Sequence, residues 1–250
     1  MKVYPPTDIV IIDEPETCPY LPDQVARMPL RMPLRKITLS ETDLRLAQGH
    51  RRTGEFIYQT NCPTCQQCQA IRIPVQDYQF SSNQRRVLNK GNRLYDQRMN
   101  DLLGDDRRVA LFNLHRKQRG LSKNDKEIDL DEYLWGFVKS CFRSFEITYW
   151  TDDELKCVAI CDLGASAMSA VYTFYDPFLV GDSIGTYSIL KQIEFCKQEK
   201  IKYLYLGYYV QDCSHMVYKS RFTPHQRLIG GDWVLFERKP RTQSPPCPPA

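Results

Sequence analysis

Three cysteines stand at intervals of three residues, as Cys62, Cys65 and Cys68. Two intervening residues let neighbouring thiolates converge on one ion, as in many structural zinc sites. A fourth ligand is needed, and Cys18, which precedes a proline, is the natural candidate. The same four side chains could hold an iron–sulfur cluster or remain unmetallated thiols. The pattern therefore predicts a structural zinc or cluster site at Cys18, Cys62, Cys65 and Cys68, with four free thiols as the alternative.

The other six of the ten cysteines are scattered and show no ligand spacing. A chain of 250 residues can bury a core without disulfides, and its N-terminal residues show no export signal. No run of about 18 apolar residues is present to cross a membrane. A composition of 42% hydrophobic and 26% charged residues excludes a disordered chain, a collagen and a coiled coil. We therefore expect a globular cytoplasmic protein whose scattered cysteines are buried thiols.

The net charge of +4 is unevenly distributed. Residues 27–52 hold seven basic and two acidic residues, and residues 72–119 hold eleven and five. Residues 122–162 reverse the balance, with five basic and ten acidic residues. Basic blocks are typical of surfaces that bind a polyanion such as nucleic acid, and solvated surface charge is the alternative. Because the two basic blocks flank the cysteine run, the sequence favours a nucleic-acid partner modestly.

The elements that would position these residues follow from periodicity and capping signals. Ser81-Ser82 is typical of a helix start and predicts a basic helix to about Leu103, and a second helix is predicted over 183–200. Short strands are predicted on both sides of the cysteines and again in the second half of the chain. Their predicted ranges are 56–58, 70–73, 145–150, 155–163, 167–175, 203–206 and 233–236.

A three-stranded meander followed by a helix and a strand is the plan of the acetyltransferase-like (GNAT-like) N-acyltransferase fold. We therefore predict an α+β protein with a small N-terminal cysteine-knuckle domain and a GNAT-like domain, whose mixed sheet is flanked by helices. The predicted domains are residues 1–78 and 79–238. Residues 239–250 hold five prolines and are predicted to form a loose tail.

Three motifs follow one another along the chain. The first is Cys18-Pro-Tyr-Leu-Pro22, and the second runs from Gly49-His-Arg-Arg-Thr-Gly54 through Tyr58 to the three cysteines and Ile71-Arg72. The third is Tyr203-Leu-Tyr-Leu-Gly-Tyr-Tyr-Val210, followed by Cys213, Met216, Tyr218-Lys219 and Phe222-x-Pro224. Together they resemble the aminoacyl-tRNA–protein transferases of the N-degron pathway, most of all the bacterial aspartate/glutamate leucyltransferases. The resemblance covers nearly the whole chain.

This resemblance implies transfer of leucine from leucyl-tRNA to the α-amine of a protein that begins with Asp or Glu, which marks that protein for degradation. The chemistry is aminolysis of an ester. Because an α-amine has a pKa of about 7.7–8.0, part of it is already neutral near pH 7. The reaction needs positioning, an acceptor for the amine's proton and donors for the developing oxyanion, so we expect no cofactor to be required for the chemistry. The sequence indicates no particular oligomeric state.

The resemblance also suggests which residues meet the tRNA. Ser183 and Gly185 open the second predicted helix, whose N-terminal N–H groups favour negative charge. The phosphate-loop pattern of coenzyme A acetyltransferases is missing there, so we predict that this helix start receives the aminoacyl end, with an ordinary capped helix as the alternative. The predicted tRNA contacts, each with solvated charge as its alternative, are Arg51, Arg52, Arg72 and Lys90.

The acceptor's acidic side chain must meet a cation if it enters a partly dry pocket. The third motif supplies Lys219 and Arg221, and we expect Lys219 to take this role, with a structural salt bridge as the alternative. Tyr208 could line the pocket. Asp162, in an otherwise apolar strand, is a candidate catalytic carboxylate, and a structural hydrogen bond at the strand end is the alternative.

Three other functions remain open from the sequence. The same scaffold could transfer arginine, for which the pocket would need a carboxylate. A coenzyme A-dependent N-acetyltransferase and a non-catalytic zinc module that binds RNA are the others. The related eukaryotic arginyltransferases carry an N-terminal cysteine set with a Cys-x-x-Cys and a Cys-Cys arrangement. In this chain Leu21 stands where their second cysteine would be, and Gln66, not a second cysteine, follows Cys65.

Overall fold

The computed structural model describes residues 7–121, 126–179, 181 and 183–237. The predicted loose tail, residues 239–250, lies outside these ranges. Within them, no helix is both long enough and apolar enough to span a membrane.

Among the described residues, six short strands precede Cys62. Four of them form a sheet in the order β1-β4-β6-β5, and β2 pairs with β3 in a second, two-stranded sheet. A helix, α1 (Leu39–Ala47), begins after Thr38, whose side chain accepts a hydrogen bond from the N–H of Glu41. The strands are β1 (Asp8–Ile12), β2 (Pro15–Thr17), β3 (Val25–Arg27), β4 (Leu30–Pro33), β5 (Arg51–Thr53) and β6 (Phe56–Tyr58).

An eight-stranded sheet occupies the centre of the protein, in the order β14-β13-β7-β12-β11-β10-β9-β8. Only the pair β11–β12 is parallel, and the others are antiparallel. The predicted meander is present as β9, β10 and β11. The strands are β7 (Gln69–Pro74), β8 (Asp96–Asp101), β9 (Arg143–Thr151), β10 (Glu154–Leu163), β11 (Ala167–Tyr175), β12 (Tyr203–Tyr209), β13 (His225–Ile229) and β14 (Asp232–Phe236).

Helices cover both faces of this sheet. They are α2 (Ser82–Leu94), α3 (Asp106–Gln118), α4 (Leu130–Tyr133), which continues as a π-helical turn to Val138, and α5 (Ile184–Gln198). Because side chains alternate along a strand, Cys157 and Cys161 of β10 pack in the cluster that includes α2 and α5. Val158 and Ile160 pack with α3 and α4 on the opposite face. The predicted α+β class, with a mixed sheet flanked by helices, is confirmed.

Strand β7 joins the N-terminal region to the large sheet. It lies between β12 and β13, pairing with both in antiparallel register. Residues before and after the predicted boundary at 78 therefore share one sheet. The division into domains 1–78 and 79–238 stays a prediction.

The basic helix α2 is shorter than the sequence predicted. It begins after Ser81, as expected, but ends at Leu94 and not near Leu103. Residues 96–101 leave the helix and form β8, the edge strand that pairs with β9. The apolar positions that hold α2 in place, among them Leu88, end before this segment, and all six residues of β8 are exposed.

Helix α2 packs closely on α5 through Gly91. A Cβ at this position would lie 2.3 Å from Cδ2 and Cε2 of the buried Tyr187 ring. In an open helix Gly→Ala stabilises by about 1 kcal/mol, whereas overpacking costs about 1–3 kcal/mol. We therefore expect Gly91→Ala to lower the free energy of unfolding in urea. Gly136→Ala, where no atom lies within 4 Å of the new Cβ, is the control. A Gly91→Ala protein as stable as the wild type would mean that α2 can move away from α5.

Candidate active site

A notch opens in the large sheet between its two parallel strands. β11 and β12 pair only at their beginnings, from Ala167 opposite Tyr203 to Ser169 opposite Tyr205. Gly207, with a φ of +86°, lies where the register of β12 with β7 is interrupted. Such a bulge bends a strand, and the left-handed φ favours glycine. We call the space between β11 and β12 beyond Ser169 and Tyr205 the notch.

Arg51 reaches the notch from β5, the edge strand of the N-terminal sheet. Its guanidinium donates hydrogen bonds to Oγ of Ser169 at 3.0 Å and to the carbonyl of Ala170 at 3.3 Å. A Cβ at Gly207 would lie 3.1 Å from Nη2 of Arg51 and 3.5 Å from Nζ of Lys219. The absence of a side chain at position 207 therefore makes room for two cations.

Lys219 enters from the other side, on a 3₁₀ turn over Val217–Arg221 that follows β12. It is 8% exposed, and its Nζ donates to the carbonyl of Tyr208 at 2.6 Å and contacts Sδ of Met216 at 3.1 Å. Burial and, second, the positive charge of Arg51 lower the pKa of Lys219 to about 7. The two cations therefore repel each other in a partly desolvated position.

Neither cation has an anionic partner in the described ranges, where every ion pair joins other residues. The structural salt bridge, which was the alternative for Lys219, is therefore not formed within these residues. Two buried or half-buried cations without a carboxylate form a site that an anion would stabilise.

Three tyrosines lie beside the cations. The hydroxyl of Tyr208 donates to the carbonyl of Gly49 at 3.0 Å, and its ring packs edge-on against Tyr58 at 6.4 Å between centroids. Burial raises the pKa of Tyr20, with further contributions from Tyr58 and Tyr208, while Arg51 opposes the rise. Because Tyr20 belongs to the first motif, residues of all three motifs interact electrostatically with Arg51 or pack beside it. The predicted role of Tyr208 in lining a pocket stays a prediction.

The other basic residues predicted at the site lie elsewhere. Arg221 is exposed on the 3₁₀ turn. Arg72 is buried in β7, where its guanidinium lies 3.8 Å from the ring centroid of Tyr203 and 3.9 Å from that of Trp233. It also donates to Oε1 of Gln226 at 2.7 Å. Its surroundings are those of a packed cation–π stack, so phosphate contact by Arg72 stays an untested prediction.

Arg52 and Asp162 form a buried ion pair. The side chains are 1% and 4% exposed, and Nε of Arg52 donates to both carboxylate oxygens, at 2.9 and 2.8 Å. Ser144 donates to the same carboxylate at 2.6 Å. The geometry matches the structural alternative for Asp162, and Arg52 has no exposed surface to offer a phosphate. The catalytic role of Asp162 and the tRNA contact of Arg52 are therefore disfavoured by these contacts.

Helix α5 begins beside the notch. Ser183 precedes it with a φ of 52° and makes no side-chain cap, which differs from an ordinary capped helix start. A Cβ at Gly185 would lie 3.0 Å from Cε1 of Tyr175 on β11, so the first turn of α5 approaches the notch closely. Lys90 of α2 donates to the carbonyl of Gly181 at 3.1 Å. The predicted location of the aminoacyl end at this helix start is compatible with the geometry and stays a prediction.

The four cysteines predicted as ligands are free and half-buried. Burial raises the pKa of Cys68 to about 12, and the neighbouring Cys62, Cys18, Cys65 and also Cys213 contribute. Among the described residues, however, no three His, Cys, Asp or Glu side chains are arranged to hold a metal ion. The backbone N–H of Arg27 approaches Sγ of Cys62 at 3.5 Å, which places this sulfur against the β3 backbone. The metal or cluster site at these four cysteines stays a prediction, with free thiols as its alternative.

Sequence reasoning missed three residues of the notch. Tyr20 lies inside the first motif and Gly207 inside the third. Their positions in these motifs were the signal that could have identified them as site residues. Ser169, which accepts from Arg51, carries no local signal because its partner lies 118 residues away in the chain.

Comparisons with known proteins agree with this convergence of motifs. Residues 16–86 match the family described as Arginine-tRNA-protein transferase, N terminus, and residues 107–229 match its C terminus. An aspartate/glutamate leucyltransferase of Acinetobacter baylyi is 35% identical over 95% of this chain and 90% of its own. A protein of the same description from Chromobacterium violaceum is 33% identical over 88% of this chain and 90% of its own.

Among solved structures, the crystal structure of FemX is similar with a TM-score of 0.44 and 7% identity, over 75% of this chain and 64% of its own. The family assignment depends on the sequence matches, which cover residues 16–86 and 107–229 of this chain. The chain belongs to the arginine-tRNA–protein transferase family, and the relatives it resembles are aspartate/glutamate leucyltransferases.

Proposed function

We propose that this protein is an aminoacyltransferase that moves leucine from leucyl-tRNA to the α-amine of proteins beginning with Asp or Glu, in the cytoplasm, where it marks them for degradation. The relatives' activity supports the reaction. The observation that carries the assignment to this chain is the pair of cations, Arg51 and Lys219, that converge over Gly207 without a carboxylate partner in the described residues.

In this proposal Arg51 and Lys219 bind the acidic side chain of the acceptor. Arg51 is held by Ser169 and Ala170, so its guanidinium is preorganised for a carboxylate. Lys219, held by the carbonyl of Tyr208, provides a second positive charge. An Asp or Glu side chain that enters here gains two charge partners and relieves the repulsion between them.

Binding of the acidic side chain then places the acceptor's α-amine in the notch. The neutral amine attacks the carbonyl carbon of the leucyl ester, a C–N bond forms, and the C–O bond to the terminal ribose breaks. The amine loses one proton, and the departing ribose oxygen gains one. Because β11 and β12 do not pair beyond Ser169, backbone N–H groups at this edge could stabilise the developing oxyanion.

The surroundings of the notch suit leucine better than arginine as the transferred residue. A guanidinium would need a carboxylate to pair with. Asp176, next to Tyr175 at the end of β11, lies 3.6 Å from Nζ of Lys156, which also pairs with Glu154. The start of α5 supplies the buried Ile184 and the close contact of Gly185 with Tyr175. An aliphatic side chain therefore matches this end of the notch.

A transfer assay tests the proposed function. Purified protein is incubated with tRNA charged with radiolabelled leucine or arginine and with peptides that begin with Asp, Glu or Asn. We expect leucine to be transferred to the Asp and Glu peptides and much less to the Asn peptide, because only a charged side chain pairs with Arg51 and Lys219. Transfer of arginine but not leucine would reject the donor assignment. No transfer from either tRNA would reject the enzyme.

A further inference from the structure

One side of helix α2 is strongly basic. The helix contains four basic and no acidic residues, and its buried side is formed by Leu88 and Gly91. Arg86 and Arg93 lie seven residues apart, so they share one side of the helix. Both are exposed, as are Asn89 and Asn92 between them.

These four residues line an open groove of about 550 Å³. The side-chain oxygen Oδ1 of Asn92 accepts a hydrogen bond from the hydroxyl of Tyr187 at 2.9 Å, which ties this side chain of the groove to α5. Within the ranges that the structure covers, Arg86 donates a hydrogen bond to Oδ1 of Asn83 at 3.2 Å, and neither Arg86 nor Arg93 pairs with a carboxylate. The groove therefore presents two guanidinium groups and two amides.

The groove lies on the same side of the protein as the start of α5. Helix α2 packs against α5 through Gly91 and Tyr187, and Lys90 reaches the carbonyl of Gly181, two residues before Ser183. The first turn of α5 lies close to Tyr175 beside the notch, since a Cβ at Gly185 would be 3.0 Å from Cε1 of Tyr175. A ligand that lies along α2 would therefore have one end at the start of α5.

We propose that the groove formed by Arg86, Asn89, Asn92 and Arg93 binds the sugar–phosphate backbone of the acceptor arm of the aminoacyl-tRNA. The proposal rests on the proposed function, because the notch must receive the aminoacyl end of the same molecule. Guanidinium and amide groups donate to phosphate and ribose oxygens, and the two guanidinium groups of Arg86 and Arg93, which pair with no carboxylate in the described residues, attract a polyanion. A protein partner would instead need an apolar centre, which these four residues do not provide.

The test compares two double variants that each remove two positive charges. Arg86→Gln/Arg93→Gln alters the groove, and Arg107→Gln/Lys117→Gln alters exposed residues of α3 on the opposite face of the sheet. Glutamine is a good helix former, so both helices should persist, which thermal unfolding checks. Binding of fluorescent uncharged tRNA is measured by anisotropy at several salt concentrations, and leucine transfer is measured against leucyl-tRNA concentration.

We expect the groove variant to bind tRNA about tenfold more weakly at about 0.1 M salt, and the slope of log Kd against log salt to fall by about 1.5 to 2. Its KM for leucyl-tRNA should rise with kcat unchanged, because the groove lies away from the reacting atoms. An unchanged slope, or an equal loss in the α3 variant, would overturn the proposal. If the groove variant binds tRNA more weakly than wild type but the wild-type protein transfers no leucine, the proposed function is rejected and the tRNA-binding role of the groove is retained.

Discussion

Lys219→Met is expected to lower kcat/KM for an Asp-initiated peptide about 100-fold and to change kcat/KM for an Asn-initiated peptide by less than about threefold. The reason is that the buried ammonium of Lys219 has no carboxylate partner of its own in the described residues and converges with Arg51 over Gly207. Removing it leaves the acceptor's carboxylate with one cation instead of two. The loss should therefore be specific to the charged acceptor.

Arg221→Met is the matched control for this experiment. Arg221 lies two residues from Lys219 on the same 3₁₀ turn and is exposed, so its removal should leave the ratio of Asp to Asn activity unchanged. Arg51→Met should reduce the ratio as Lys219→Met does, and Arg51→Lys should retain part of it. If Lys219→Met reduced both peptides equally, Lys219 would be supporting the turn, through its bond to the carbonyl of Tyr208, and not selecting the acceptor.

The same site predicts a pH dependence. Because burial and Arg51 lower the pKa of Lys219 to about 7, the ammonium loses its proton as the pH rises through that value. The ratio of kcat/KM for the Asp and Asn peptides should therefore fall between about pH 6 and about pH 8, to the level that Arg51 alone supports. Both peptides carry an α-amine, so their ratio largely removes the titration of the nucleophile. A ratio that stays constant would contradict a titrating Lys219 in the acceptor pocket.

Asp162→Ala is expected to lower the free energy of unfolding by about 3–5 kcal/mol, the usual cost of leaving one member of a buried ion pair alone. The guanidinium of Arg52 would lose both of its carboxylate contacts while its side chain stays 1% exposed. Ser144 would lose its acceptor as well. Urea unfolding followed by circular dichroism measures the change.

The double variant Arg52→Met/Asp162→Leu separates a structural pair from a catalytic carboxylate. Replacing both charges by apolar side chains removes the unpaired cation, so much of the lost stability should return, together with leucine transfer. Asp162→Asn should retain most of the wild-type kcat, since an amide can still accept from Arg52. A folded Asp162→Asn protein with full stability and no transfer would establish the catalytic role that the ion pair disfavours.

The neighbouring residues Arg51 and Arg52 show which part of the site could be predicted from the sequence and which part could not. Both were predicted as phosphate contacts because both are basic and lie in one motif. They alternate along β5, so their side chains point to opposite sides of the strand. Arg51 enters the notch and Arg52 meets Asp162, which is 110 residues away. The alternation could be read from the sequence, but the partners are set by tertiary contacts.

Local signals were sufficient where local physics decides the structure. The meander and the start of α2 follow from strand alternation and a capping serine, and the structure contains both. The end of α2 depends on β9, a strand that lies more than forty residues further along, so it was placed too late.

The position of β7 has a consequence for how the chain is made. Arg72 pairs with Tyr205, which is 133 residues further along, and β13 follows later still. At about 5–20 residues per second, a ribosome needs on the order of ten seconds to deliver these partners. Until then, β7, an apolar strand that includes Ile71 and Ile73, has no strand paired to either of its edges. Unpaired apolar strands favour aggregation and chaperone binding. The notch needs Arg51 from the N-terminal part of the chain together with β12 and Lys219 from the C-terminal part. It is therefore among the last parts of the enzyme to form during synthesis.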